Sequence, residues 1–141
     1  MSKQVLSIEQ MQHLQDLGLD TSKASMCWLK DITKEIAEEK YVDMTTGWNL
    51  DFNNPDFYKY EWMYGVSAFT LQDILDLLPE EIEKENRNYQ LEAFRNPQRY
   101  FVSYYWCDNL LISLNEVEFI DAAYEMLCWC IENGYVETNK L

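Results

Sequence analysis

At 141 residues the chain has the length of one domain, and its 48% hydrophobic and 15% aromatic content supports a core without disulfides, which excludes a disordered chain. Twenty-five Asp and Glu against eleven Lys and Arg leave a net charge of −14, a field that repels nucleic acid and anionic membrane and attracts basic surfaces. There is no glycine-rich phosphate loop, no serine or cysteine nucleophile motif and no metal-ligand spacing, and His13 is the only histidine.

Residues 1–6 carry no apolar run of signal-peptide length, and no stretch approaches the roughly 18 apolar residues of a membrane helix. A cytoplasmic protein is therefore expected, with Cys27, Cys107, Cys128 and Cys130 as free thiols.

In chain order, the first element is a helix opened by Ser7 and Gln10, which have the spacing of a capping box, with Leu6 and Met11 as a hydrophobic staple. Ile8, Met11, Leu14 and Leu17 share a face, and Gly18 supplies the left-handed stop. A strand is expected from Ser25 to Leu29. Ile32 to Lys40 fits a helix or a charged hairpin, and residues 42–56, with Gly47, Asn49, Asn53, Asn54 and Pro55, read as loop.

A second helix starts at the cap Thr70, with Asp73 in the reciprocal position, runs along Leu71, Ile74, Leu75 and Leu78, and ends at Pro79. Glu80 to Asn88 reads as a charged connector. Tyr89 to Arg95, a turn at Asn96-Pro97-Gln98-Arg99, Tyr100 to Trp106, and Leu110 to Leu114 after Asp108-Asn109 form three antiparallel strands. In the middle strand Tyr100, Val102, Tyr104 and Trp106 face one way, and Phe101, Ser103 and Tyr105 the other. The last helix takes Asn115 as its cap and Glu118 three residues on. Its apolar face is Phe119, Ile120, Ala123, Leu127, Cys130 and Ile131, and Asn133-Gly134 closes it. The class is α+β: a single compact domain over residues 1–141, with a small antiparallel sheet and helices packed mainly on one face.

Tyr58, Tyr60, Trp62 and Tyr64 alternate with Lys59, Glu61 and Met63, so a strand there places four large rings on one face. Such rings serve either as core or as a platform for a protein partner. From Tyr100 onward seven acids, Glu116, Asp121 and Glu125 among them, stand against Lys140 alone. They form either a solvated surface or a carboxylate array that mimics nucleic acid to a nucleic-acid-binding protein.

Cys128-Trp129-Cys130 has the look of a metal or redox motif, but residues two apart on a helix are rotated by about 200° and cannot grip one ion. Cys130 is read as core. His13 lacks an orienting partner and is read as a surface histidine. Glu92, between Leu91 and Ala93, is the nearest candidate for a carboxylate in an apolar setting, and strand alternation turns it to water.

The phrases Ala68-Phe69-Thr70-Leu71-Gln72-Asp73-Ile74-Leu75-Asp76-Leu77-Leu78-Pro79 and Ile120-Asp121-Ala122-Ala123-Tyr124-Glu125-Met126-Leu127-Cys128-Trp129-Cys130-Ile131-Glu132-Asn133-Gly134-Tyr135 resemble segments of small acidic proteins of prophages and other mobile elements in gut anaerobes. That group has no assigned activity. The resemblance implies a compact domain of mobile-element origin and transfers no site residue.

The expected function is protein binding rather than catalysis. The candidate contacts are Tyr58, Tyr60, Trp62, Tyr64, Glu116, Asp121 and Glu125, and the expected partner is a protein with a basic or aromatic-complementary surface. No cofactor, metal, direct nucleic-acid contact or membrane contact is expected, and a homodimer is allowed. An inhibitor or immunity-type protein fits this reading. The alternatives are the nucleic-acid-mimicking decoy and a small hydrolase using paired carboxylates.

Overall fold

The computed structural model describes residues 3–31, 48–53 and 63–139. Ile32 to Lys40, Tyr58, Tyr60 and Trp62 lie outside the described residues.

Helix α1 spans Ile8–Asp16. The Ser7 hydroxyl accepts from the Gln10 amide at 3.1 Å, and the Gln10 side chain accepts from the Ser7 amide at 2.9 Å. Each bond satisfies an amide that the first helical turn leaves orphaned. Gly18, at φ 95°, lets the chain leave the helix in the left-handed conformation. Helix α2, Leu71–Leu77, repeats the device: Thr70 accepts from Asp73, and Asp73 accepts from the Thr70 amide. Helix α3 is Phe119–Glu132, with Gly134 at φ 79° beyond its end.

The cap expected at Asn115 is corrected. Asn115 belongs to a strand, and the residue at the N-cap is Glu118, which makes no side-chain cap bond. The strand alternation simply continues two residues past Leu114, and the Asn115 side chain is taken by Arg99 across the neighbouring turn.

The described strands form two antiparallel sheets rather than one. In the first, β1 (Met26–Asp31) lies between β2 (Asn49–Phe52) and β3 (Met63–Ala68). Register sets Trp28 opposite Leu50 and Val66, and Lys30 opposite Tyr64. The second runs in the order β4 (Glu81–Lys84), β5 (Arg87–Arg95), β6 (Tyr100–Trp106), β7 (Asn109–Glu116).

Two of these strands correct the sequence reading. β2 lies where a loop is expected, because Leu50 and Phe52 alternate among turn-forming residues. β4 lies in the expected connector. Glu81-Ile82-Glu83-Lys84 alternates around one buried residue, and the turn to β5 is Glu85-Asn86, both at positive φ (54° and 65°) without any glycine. The β6–β7 turn is Cys107-Asp108, with Cys107 at φ 53°, one residue earlier than expected.

One hydrophobic cluster joins both sheets and the three described helices. Ile82, Tyr89, Val102 and Tyr104 come from the inner face of the second sheet, Val66 from the first, Met11 and Leu14 from α1, Ile74 from α2, and Ile120, Ala123, Met126, Leu127 and Cys130 from α3. The Tyr104 hydroxyl donates to the Pro79 carbonyl at 2.8 Å, tying β6 to the end of α2. Burial, with the Cys130 thiol beside it, pushes that phenol well above its ordinary range. The α+β class follows, with α2 and α3 on the inner face of the four-stranded sheet.

Candidate functional site

The outer face of the four-stranded sheet is open, because no described helix packs on it. Register assigns to it Glu81 and Glu83 of β4, Gln90, Glu92 and Phe94 of β5, Phe101, Ser103 and Tyr105 of β6, and Leu110, Ser113 and Asn115 of β7. Phe94 stacks on Phe101 with ring centroids 4.9 Å apart and an interplanar angle of 2°. Phe94 is nevertheless 45% exposed, and Leu110 51%. Ser103 is buried and shares a 2.7 Å hydrogen bond with Ser113. Every charged residue at these outward positions is an acid: Glu81, Glu83 and Glu92. Glu92 is exposed, as the strand alternation requires.

Of the candidate contacts read from the sequence, Tyr64 lies in β3, paired with Lys30, while Tyr58, Tyr60 and Trp62 fall outside the described residues. Glu116, Asp121 and Glu125 come together where β7 meets α3. Glu116 ends β7 and Glu125 lies one turn inside α3 beyond Asp121. Burial, then a hydrogen bond with Glu116 and the charges of Glu116 and Asp121, push the Glu125 carboxyl up to about 7, against the opposing pull of Arg99. The Glu125 carboxyl therefore changes protonation near neutrality. Arg99 also approaches Glu116 at 3.8 Å.

Asp121 is committed to the fold. It accepts from Lys3 Nζ at 2.8 Å and from Gln10 Nε2 at 3.0 Å, and so links α3 to the chain ahead of α1 and to its cap.

Beside this junction runs a shallow groove of about 340 Å³ between α3 and β7, with Leu114, Tyr124, Cys128 and Trp129 as apolar lining, Glu125 and Glu132 as acids, and His13 of α1 on its wall. His13 is exposed and meets Tyr124 edge-on, with centroids 6.4 Å apart. Burial raises the Cys128 thiol to about 11, partly offset by its hydrogen bond with Tyr124, so it is a protonated thiol at neutral pH and no nucleophile. Cys130 is fully buried and likewise raised to about 11 by burial, in keeping with its reading as core. None of the four cysteines forms a disulfide. Among the described residues no group of three His, Cys, Asp or Glu is placed to hold a metal ion, and no described helix is long and apolar enough to cross a membrane.

Two larger clefts flank the turn after α1. One, of about 590 Å³, is lined by Gln12, Gln15, Thr21, Ser22, Asn53 and Ser67 among others, and the next, of about 460 Å³, by Asp20, Lys23, Asp73, Asp76 and Glu137. Two of their acids, Asp73 and Asp20, are held as carboxylates. Burial works to raise Asp73, yet the hydrogen bonds from Ser25 (2.6 and 2.9 Å) and Thr70 outweigh it and hold the carboxyl below its ordinary range. The Ser22 amide does the same for Asp20.

Glu125 lies on an open groove rather than in either cleft. Sequence reading found Glu116 and Glu125 as residues but missed Phe94, Phe101 and Leu110 as a surface. The available signal was the β6 alternation, which already turned Phe101 away from Tyr104. Comparison with protein-family models, curated proteins and solved structures finds no match to this chain.

Proposed function

We propose that the chain is a non-enzymatic protein-binding module of the cytoplasm that engages a basic protein through the open face of its four-stranded sheet. The observation that carries this reading is the composition of that face: a stacked Phe94–Phe101 pair and an exposed Leu110, with Glu81, Glu83 and Glu92 as the charged residues its strands turn outward and Arg99 of the β5–β6 turn held at its margin by Asn115. Aromatic anchors inside a charged rim are the pattern of interface hot spots, and the carboxylates add on-rate and discrimination against acidic partners. An inhibitor or immunity-type protein of a mobile element acts in this manner, by covering a basic surface of its target.

The test is capture of partners by the tagged protein, run beside F101E and the triple variant E81Q/E83Q/E92Q. The proposal expects one basic protein retained by the wild type, lost with F101E and released at lower salt with the triple variant. Capture unchanged by both variants contradicts it. A partner that binds nucleic acid, depends on the acids and ignores F101E favours the decoy reading instead, since mimicry of phosphates needs carboxylates and not the aromatic pair.

A further inference from the structure

The two edges of the four-stranded sheet are built differently. β4 is four residues long, and three of them, Glu81, Glu83 and Lys84, are charged, which discourages pairing with another strand. β7 is twice as long, has no proline, and carries no charge before its last residue, Glu116. Its register irregularity falls opposite Tyr104 and Tyr105, so the run from Ile112 to Glu116 is regular. One side of β7 pairs with β6, and among the described residues no strand pairs with the other. Directly beside that free edge lies the groove between β7 and α3.

We infer that β7 accepts an extended segment of a partner protein as a fifth strand of the sheet, with alternate side chains, basic ones, lying in the β7–α3 groove. This rests on the reading of the chain as a binder of basic proteins and specifies how the partner is held. Strand addition draws affinity from main-chain hydrogen bonds along the edge and specificity from pockets for every second side chain. The position facing Leu114 enters the groove, where Tyr124 and Trp129 offer ring faces and Glu125 and Glu132 offer carboxylates. The groove lining contains no Lys or Arg. A lysine or arginine there lays its apolar stem on the rings and brings its charge to the acids. The intervening side chains fall beside Ser113 and Asn115, next to Phe101 on the open face, so edge and face form one continuous surface. A second copy of the chain is the poorer occupant, because it brings another −14 of charge to an acidic edge.

The test uses three short synthetic peptides with the intact protein: one alternating lysine and valine, the same peptide with alternate backbone amides N-methylated, and one alternating glutamate and valine. Binding is read by fluorescence anisotropy, and β7 amide exchange by mass spectrometry or NMR. The inference expects the lysine–valine peptide to bind with a Kd below about 1 mM and to slow exchange in β7, and expects N-methylation to weaken binding by about tenfold or more. E125Q/E132Q, which leaves the strand untouched, is expected to weaken it several-fold.

Equal binding of the methylated peptide, or protection absent from β7, overturns strand addition while leaving the basic-partner reading in place. Equal binding of the glutamate peptide overturns the basic-partner reading itself. Failure of the lysine–valine peptide to bind in that range overturns the inference.

Discussion

The Gln10 carboxamide does two jobs at once: its oxygen caps α1 by accepting from the Ser7 amide at 2.9 Å, and its nitrogen donates to Asp121 of α3 at 3.0 Å. Lys3 Nζ bonds to both partners, at 2.7 Å to Gln10 and 2.8 Å to Asp121. Helices that are far apart in sequence are thus locked through one side chain. Gln10→Ala is expected to lower stability by ~1–2 kcal/mol, as loss of a cap and a charge-assisted bond does. Combined with Asp121→Ala, the losses are expected to be less than additive by ~0.5–1 kcal/mol in denaturant titrations. Strict additivity would show that the two residues act separately.

Lys30 presents the opposite situation. Its side chain is only 3% exposed, and among the described residues its Nζ has no hydrogen-bond partner. A buried amine without a partner is a standing cost. Lys30→Met keeps the stem and removes the polar head, and is expected to raise stability by ~1–2 kcal/mol. A Tm that falls would reveal that the amine is held by something the fold needs.

Tyr104 reports the join between the helical layer and the sheet. Tyr104→Phe removes the bond to the Pro79 carbonyl and leaves the ring in place, for an expected loss of ~1–2 kcal/mol. An unchanged denaturation midpoint would mean that the Pro79 carbonyl finds another donor at no cost.

Glu125 makes stability pH-dependent. Its carboxyl in the folded chain stands at about 7, above its ordinary 4.5, so the folded state holds the proton more tightly. The stabilisation is complete below about 4.5 and is lost as pH rises through about 7. The groups around it are Glu116 on β7, Asp121, Tyr124, Cys128 and Glu132 on α3, Arg99 in the β5–β6 turn, and His13 on α1. Glu125→Gln, locked in the neutral form, is expected to gain ~0.5–1 kcal/mol over wild type at alkaline pH, the figure being reduced for solvent screening, and to match it in acid. A gain of equal size at both ends of the pH range would rule out a raised Glu125 carboxyl.

What was legible in the sequence was whatever is decided within a few residues. The caps of α1 and α2 could be read because Ser7 with Gln10, and Thr70 with Asp73, satisfy each other locally. The two faces of β6 could be read because alternation is a property of the strand alone. β4 was hidden because Ile82 is its single buried residue and its turn uses Glu85-Asn86 at positive φ instead of glycine. Asn115 was misassigned because a good cap residue can equally end a strand, and the choice is made by Arg99 from a distant turn. The division into two sheets depends on long-range pairing that no local pattern encodes. The same holds for the site. Glu116 and Glu125 were visible as acids, but their meeting, the open face and the β7 edge that no described strand pairs arise only from packing.

The most direct test of the account is the salt dependence of affinity between the purified chain and its captured partner, measured for wild type, F101E and E81Q/E83Q/E92Q. The account predicts that wild-type affinity falls as salt rises, that the triple variant starts weaker and responds less to salt, and that F101E loses at least about tenfold at every salt concentration. Affinity that is indifferent to salt and equal in all three proteins would contradict it.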